Sequence, residues 1–236
     1  MTVLLRRLVR LLMVLCLGGC HAAALPAAPL VVTLGDSVPA GTACGCTPFP
    51  DRYARMRSPE ARSLNFAQPG FTADDVREGI LDSEVVDGLR EASVVLVMVG
   101  ANDMAAVFGQ DRDYPAAAER VRATVTTIVG GIRQAHGSPV RILVLGYWNV
   151  VKDGAVGRAE YGPDGVRSAA AATRAGNAAL QAAAAATGAS YLATDVLFKG
   201  ADRAGDPTGL LAADGDHPNA AGHEAIAEAV LASIRL

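Results

Sequence analysis

Short, mostly apolar runs that each stop at a glycine limit the possible folds of this chain. Leu30 to Leu34 (LVVTL) stops at Gly35, Ser93 to Val99 (SVVLVMV) at Gly100, and Val140 to Leu145 (VRILVL) at Gly146. A strand wetted on one side alternates apolar with polar residues. Runs without that alternation suit strands covered on both faces. Two weaker runs, Leu64 to Ala67 and Ser190 to Ala193, read as further strands. Helical stretches lie between and after them at Ala73 to Leu81, Tyr114 to His136, Val166 to Thr187 and Gly222 to Ile234. Pro115 suits a first helical turn, while Gly137 and Gly188 are stop signals. Gly130-Gly131 is expected to weaken the second helix near its end. Strands alternating with helices imply right-handed crossovers. The expected fold is therefore α/β: a three-layer α/β/α sandwich around a mostly parallel, five-stranded sheet.

The first 28 residues read as an export signal, and residues 29–236 as one domain large enough to bury a core without staples. Arg6, Arg7 and Arg10 form a positive start, and Leu11 to Leu17 form an apolar run too short for an ordinary membrane span. Leu17-Gly18-Gly19-Cys20 resembles a lipobox, with Cys20 as the lipidation site; the small residues Ala22 to Ala24 offer ordinary cleavage instead. The expected location is extracellular, or the outer face of the cell membrane, with membrane contact only through a lipid anchor. The net charge is −3, and no basic run occurs outside the leader. Nucleic acid is therefore excluded as a partner on electrostatic grounds. Oligomeric state is left open by the sequence.

Of the four cysteines, Cys16 and Cys20 belong to the leader, while Cys44 and Cys46 form Cys-Gly-Cys. In an oxidising compartment the latter two are expected to close a very small disulfide ring, which shapes a loop more than it stabilises a fold. Zinc is disfavoured there, because no second cysteine pair exists and the histidines are distant in sequence.

In open parallel sheets, active sites form beyond the carboxyl ends of the strands. Directly after the first strand comes Gly35-Asp36-Ser37-Val38-Pro39, which offers a hydroxyl in a tight turn. Pro39 stands where a Gly-x-Ser-x-Gly elbow has its second glycine, which argues against an α/β-hydrolase. After the strongest strand comes Gly100-Ala101-Asn102-Asp103, where Asn102 offers an amide donor for an oxyanion. In Asn65-Phe66-Ala67-Gln68-Pro69-Gly70, the Gly70 N–H is a second candidate donor. Near the end, Asp214-Gly215-Asp216-His217-Pro218 places a carboxylate three residues before an imidazole. Asp214 can then hold one ring nitrogen of His217 while the other accepts the proton of Ser37. Each segment alone also suits an ordinary polar turn. Metal binding by Asp214, Asp216 and His217 is a rival that needs ligands from elsewhere. His136 and His223 read as structural, at a helix end and a helix start.

Taken together and in this order, Ser37, Gly70, Asn102 and His217 resemble the four named residues of the GDSL/SGNH hydrolase family, over almost all of residues 29–236. Val38 replaces the usual leucine, and Pro39 and Cys-Gly-Cys depart from the commonest pattern, which bears on the entrance loop and substrate choice. The resemblance implies a flavodoxin-like fold and a serine esterase working through an acyl-Ser37 intermediate. It implies an oxyanion hole from the Ser37 N–H, the Gly70 N–H and the Asn102 side chain. It implies no metal and no organic cofactor, and small-molecule, lipid or carbohydrate esters as substrates. Asp36 and Asp103 are expected to hold loops beside the cleft, and Tyr147 and Trp148 to line it for substrate binding. The alternatives are a metal-dependent phosphoesterase built on Asp216 and His217, and a non-catalytic cell-surface binding domain on the same fold.

Overall fold

The computed structural model describes residues 28–234. The expected leader, with Cys20, lies outside these residues except for its last position. Among the described residues, five strands form one sheet: β1 (Leu30–Gly35), β2 (Arg62–Asn65), β3 (Val94–Met98), β4 (Arg141–Leu145) and β5 (Ser190–Leu192). Every pairing is parallel, in the order β2-β1-β3-β4-β5. All of β1 and β3 is buried, as their largely apolar, non-alternating runs require. The edge strands β2 and β5 are only partly covered, which explains their weaker patterns.

The helices are α1 (Ser37–Ala40), α2 (Phe49–Arg57), α3 (Ala73–Gly79), α4 (Ser83–Glu91), α5 (Ala101–Ala105), α6 (Tyr114–His136), α7 (Gly154–Thr187), α8 (Thr194–Lys199) and α9 (Ala220–Ser233). α2 packs on α9, whereas α3, α4 and α7 pack on α6, giving the two outer layers. α6 runs unbroken through Gly130-Gly131, against expectation. A Cβ at Gly131 would meet Ile80 Cδ1 at 2.5 Å, so that glycine admits the end of α3 instead of weakening α6. α7 begins twelve residues before the expected Val166, and it is broken at Gly162, whose φ of 63° leads into Pro163. No helix among the described residues is long and apolar enough to cross a membrane.

Strand order reverses beside β1: β2 lies on one side and β3 on the other. Such a switch point opens a crevice at the carboxyl ends of the two central strands. The segments singled out in sequence leave the sheet there: Ser37 follows β1, the Gly70 loop follows β2, and Asn102 follows β3.

Candidate active site

The turn after β1 is fixed from both sides. The Asp36 N–H donates to the Met98 carbonyl at 3.1 Å, tying the end of β1 to the end of β3. Gly35 is required at this crossing, because a Cβ there would lie 2.2 Å from the same carbonyl oxygen. Asp36 then caps α1, its Oδ1 accepting the Val38 N–H at 3.1 Å. Ser37 is the first residue of α1 and is half-buried.

Asp36 itself is buried. Burial pushes its carboxyl up to about 7, against the opposing hydrogen bonds from Tyr147 and the Val38 N–H. The Tyr147 hydroxyl donates to Asp36 Oδ2 at 2.5 Å. Asn177 of α7 holds the Tyr147 backbone on both sides: Oδ1 accepts the Tyr147 N–H at 2.9 Å, and Nδ2 donates to the Tyr147 carbonyl at 2.8 Å. Tyr147 and Trp148, expected from sequence to line the cleft, are instead packed into the core, 2% and 1% exposed. Trp148 stacks on Phe198 of α8 with ring centres 4.1 Å apart. They stand just after β4, as expected, but two large aromatic faces gain more from burial than from a wet crevice.

His217 comes from a loop that Asp214 organises. Asp214 Oδ1 accepts the N–H groups of Asp216 and His217 at 3.0 and 3.1 Å. Oδ2 lies 2.7 Å from His217 Nδ1. The turn needs Gly215, whose φ is 72° and whose missing Cβ makes room for Val156. Below it, the Ala212 N–H donates to the His217 carbonyl at 2.8 Å, and Asn219 caps α9 through the N–H groups of Ala221 and Gly222. Burial raises the Asp214 pKa but is outweighed by those two backbone N–H groups and by His217, so the carboxyl ends below its ordinary value.

The loops meet at His217. Its Nε2 lies 2.9 Å from Ser37 Oγ. An ionised Asp214 only accepts, so Nδ1 carries the proton and Nε2 is free to accept the Ser37 hydroxyl. Both ring nitrogens are thereby engaged, Nδ1 by Asp214 and Nε2 by Ser37.

Two further loops close the site. Asn102 Nδ2 donates to the Phe71 carbonyl at 2.8 Å, binding the segment after β3 to the Gly70 loop. Asp103 Oδ2 accepts the Ala73 N–H at 2.9 Å, at the start of α3. Burial raises the Asp103 pKa, opposed by that N–H. Gly70 is exposed, with φ of 84°. Among the described residues, neither the Ser37 N–H nor the Gly70 N–H has a hydrogen-bond acceptor. Sequence reasoning missed the Tyr147–Asn177 support. Its only signal was an amide inside an alanine-rich helix.

The family model for GDSL-like lipases and acylhydrolases matches residues 33–225. This chain belongs to the GDSL-like lipase/acylhydrolase family. Solved structures with the same fold include the lipase Lip_vut3 from a goat rumen metagenome, at 17% identity and a TM-score of 0.66, covering 87% of this chain and 97% of that one. A catalytic mutant of an acetylxylan esterase from Geobacillus stearothermophilus aligns at 18% identity and a TM-score of 0.62, covering 89% and 95%. Phospholipase A1 from Streptomyces albidoflavus aligns at 21% and 0.62, covering 88% and 100%. No curated protein sequence matches the chain. As a member of the GDSL-like family, the chain is an ester-hydrolysing enzyme.

Proposed function

We propose that this GDSL-family chain is a serine esterase in which Ser37 is the nucleophile, His217 the general base and Asp214 the group that orients it. The observation that carries this reading is the continuous chain of contacts from Asp214 Oδ2 to His217 Nδ1 (2.7 Å) and from His217 Nε2 to Ser37 Oγ (2.9 Å). Hydroxyls are weak nucleophiles at neutral pH, and a neutral imidazole within hydrogen-bond reach removes the proton as attack proceeds. Asp214 fixes the tautomer and stabilises the imidazolium that forms.

Ser37 Oγ attacks the ester carbonyl carbon, and the carbonyl oxygen becomes an oxyanion. The Ser37 and Gly70 N–H groups and the Asn102 amide are the donors for that charge. Asn102 spends one N–H on Phe71, which orients the amide and leaves its second N–H for the oxyanion. Each donor of this kind contributes roughly 3 kcal/mol to the transition state. The imidazolium returns its proton to the departing alcohol, leaving an acyl group on Ser37. Water then enters with His217 again as base, and the acid leaves. The residues that carry out these steps are all supplied by the chain.

The substrate is a carboxylic ester of a small molecule, lipid or carbohydrate. The leader reading extends the proposal to export, with Cys20 as a lipid-anchor site. Mass spectrometry of the mature N-terminus tests that part: an acylated Cys20 supports it, and an intact Met1 contradicts it. For the chemistry, hydrolysis of a chromogenic ester series by the wild type and Ser37→Ala is the direct assay. Loss of turnover in a folded variant supports the assignment, and retained turnover refutes it.

A further inference from the structure

Three side chains with no role in the hydrolytic scheme gather beside it. Cys44 and Cys46 lie in the loop leaving α1, with their sulfurs within bonding reach and their Cα atoms 5.0 Å apart. An imidazole nitrogen of His223, in the first turn of α9, lies within 4.8 Å of both sulfurs. Two chemistries suit such a group: ligation of a soft cation and thiol–disulfide exchange.

The tautomer of His223 decides between them. The Phe49 N–H donates to His223 Nδ1 at 3.1 Å, so Nδ1 is an acceptor and the proton of the neutral ring sits on Nε2. Metal-bound imidazoles are arranged otherwise: one nitrogen holds the cation and the other donates its N–H. Here one lone pair is occupied by a donor and the other nitrogen is protonated, so neither is free for a metal. His223 is 0% exposed, and its Nε2 has no hydrogen-bond partner among the described residues. Burial, reinforced by the positive charge of Arg52, pushes its pKa down to about 4, which keeps the ring neutral. A buried donor without an acceptor is costly. A thiolate of Cys44 or Cys46 would supply one.

We propose that Cys44 and Cys46 form a reversible thiol–disulfide site whose reactant is a dithiol, with His223 Nε2–H stabilising a thiolate of the reduced form. One thiolate of the reductant attacks a cysteine sulfur; the Cys44–Cys46 bond breaks and a mixed disulfide forms, with the other cysteine leaving as thiolate. The second thiol of the reductant then attacks the reductant sulfur of the mixed disulfide, and the bonded cysteine leaves as thiolate. Two electrons pass to the cysteines, one of which takes a proton while the other stays as the thiolate held by Nε2–H; the second proton goes to solvent, and the reductant leaves as its own disulfide. Only Gly45 separates the pair, so the closed ring restrains little of the unfolded chain. Both cysteines are half-buried and reachable, as labile disulfides are.

The site is joined to the hydrolytic residues by backbone. The Thr42 N–H donates to the Ser37 carbonyl at 3.0 Å, and the Cys44 N–H to Gly41 at 3.3 Å. At the other end of the loop Phe49 holds His223, on the helix that follows His217. Redox state therefore acts on the Ser37–His217 spacing. This coupling rests on the serine-esterase reading; the exchange site does not.

The test equilibrates the full chain in dithiothreitol redox buffers, quenches it with acid, alkylates free thiols and reads Cys44 and Cys46 by mass spectrometry. Both cysteines should open and close together as one two-electron couple. His223→Phe should shift the equilibrium about tenfold toward the disulfide, the effect of losing one hydrogen bond to a charged acceptor. Chromogenic-ester turnover in the same buffers should differ between the end states about twofold or more in the wild type and not in the Cys44→Ser/Cys46→Ser variant. Cysteines that never pair, an unshifted equilibrium in folded His223→Phe, or stoichiometric zinc or copper(I) binding that needs His223 would each overturn the site. Equal turnover in both states overturns the coupling alone. If His223→Phe does not fold, the alkylation rate of Cys44 in Cys46→Ser decides. A thiolate held by Nε2–H reacts at pH 7 about tenfold faster than an ordinary cysteine, and an ordinary rate overturns the proposal. Absence of any ester hydrolysis leaves the thiol readout intact.

Discussion

The Tyr147 hydroxyl and the Asp36 carboxylate form a buried 2.5 Å hydrogen bond one residue before Ser37. The raised Asp36 pKa has a thermodynamic consequence. Between about pH 4 and pH 7 the native state holds a proton that the unfolded chain has released. Stability from this group is complete below that window and is lost as pH rises through it. Asp36→Asn keeps an oxygen for the Val38 N–H but cannot titrate. Its thermal midpoint should fall less than that of the wild type across the window. Tyr147→Phe removes a hydrogen bond that opposes burial, so its loss should extend to higher pH. Parallel melting curves for all three proteins would refute this account of Asp36.

Asp214 makes three hydrogen bonds, of which two organise the loop and one holds His217. Asp214→Asn can keep the two from backbone N–H groups while favouring the wrong imidazole tautomer. Turnover should fall by about a thousandfold to ten-thousandfold with little change in melting temperature. A loss of less than about tenfold in steady-state kcat would remove Asp214 from the orienting role.

Asn102 has two tasks. Asn102→Ala should lower kcat by about a hundredfold to a thousandfold through the oxyanion. It should also cost about 1 kcal/mol of stability, because the bond to the Phe71 carbonyl goes with it. Denaturant unfolding beside kinetics separates the effects; unchanged kcat with reduced stability would make Asn102 a loop tie alone.

At Gly35 the constraint is steric. Gly35→Ala brings a methyl group against the Met98 carbonyl, which is held by its bond to the Asp36 N–H. Overpacking of this kind costs about 1–3 kcal/mol. Because the shift falls two residues before Ser37, kcat should drop together with the melting temperature. A variant with both unchanged would show that the crossing of β1 and β3 is looser than described.

The sequence disclosed the elements whose burial leaves a one-dimensional trace. β3 is apolar throughout, and β1 and β4 are nearly so, with Thr33 and Arg141 the polar exceptions, because both faces are covered; α6 has proline in its first turn and glycine just past its end. α2 and α4 left weaker traces. Their N-cap residues, Pro48 and Asp82, make no side-chain cap bond, and each helix buries only a few residues. The loop motifs were legible through order and spacing, since Asp214 and His217 share one turn. Tyr147 and Trp148 were misplaced because sequence locates the end of β4 but not the side toward which its aromatics turn. That direction depends on Asn177 and Phe198, 30 and 50 residues later.

Labelling with a fluorophosphonate probe, mapped by peptide mass spectrometry, tests the nucleophile most directly. One adduct per chain on the Ser37 oxygen, formed together with loss of ester hydrolysis and absent from Ser37→Ala, is the expected result. A fully active chain that takes no label, or an inactivating adduct on another residue, would contradict it.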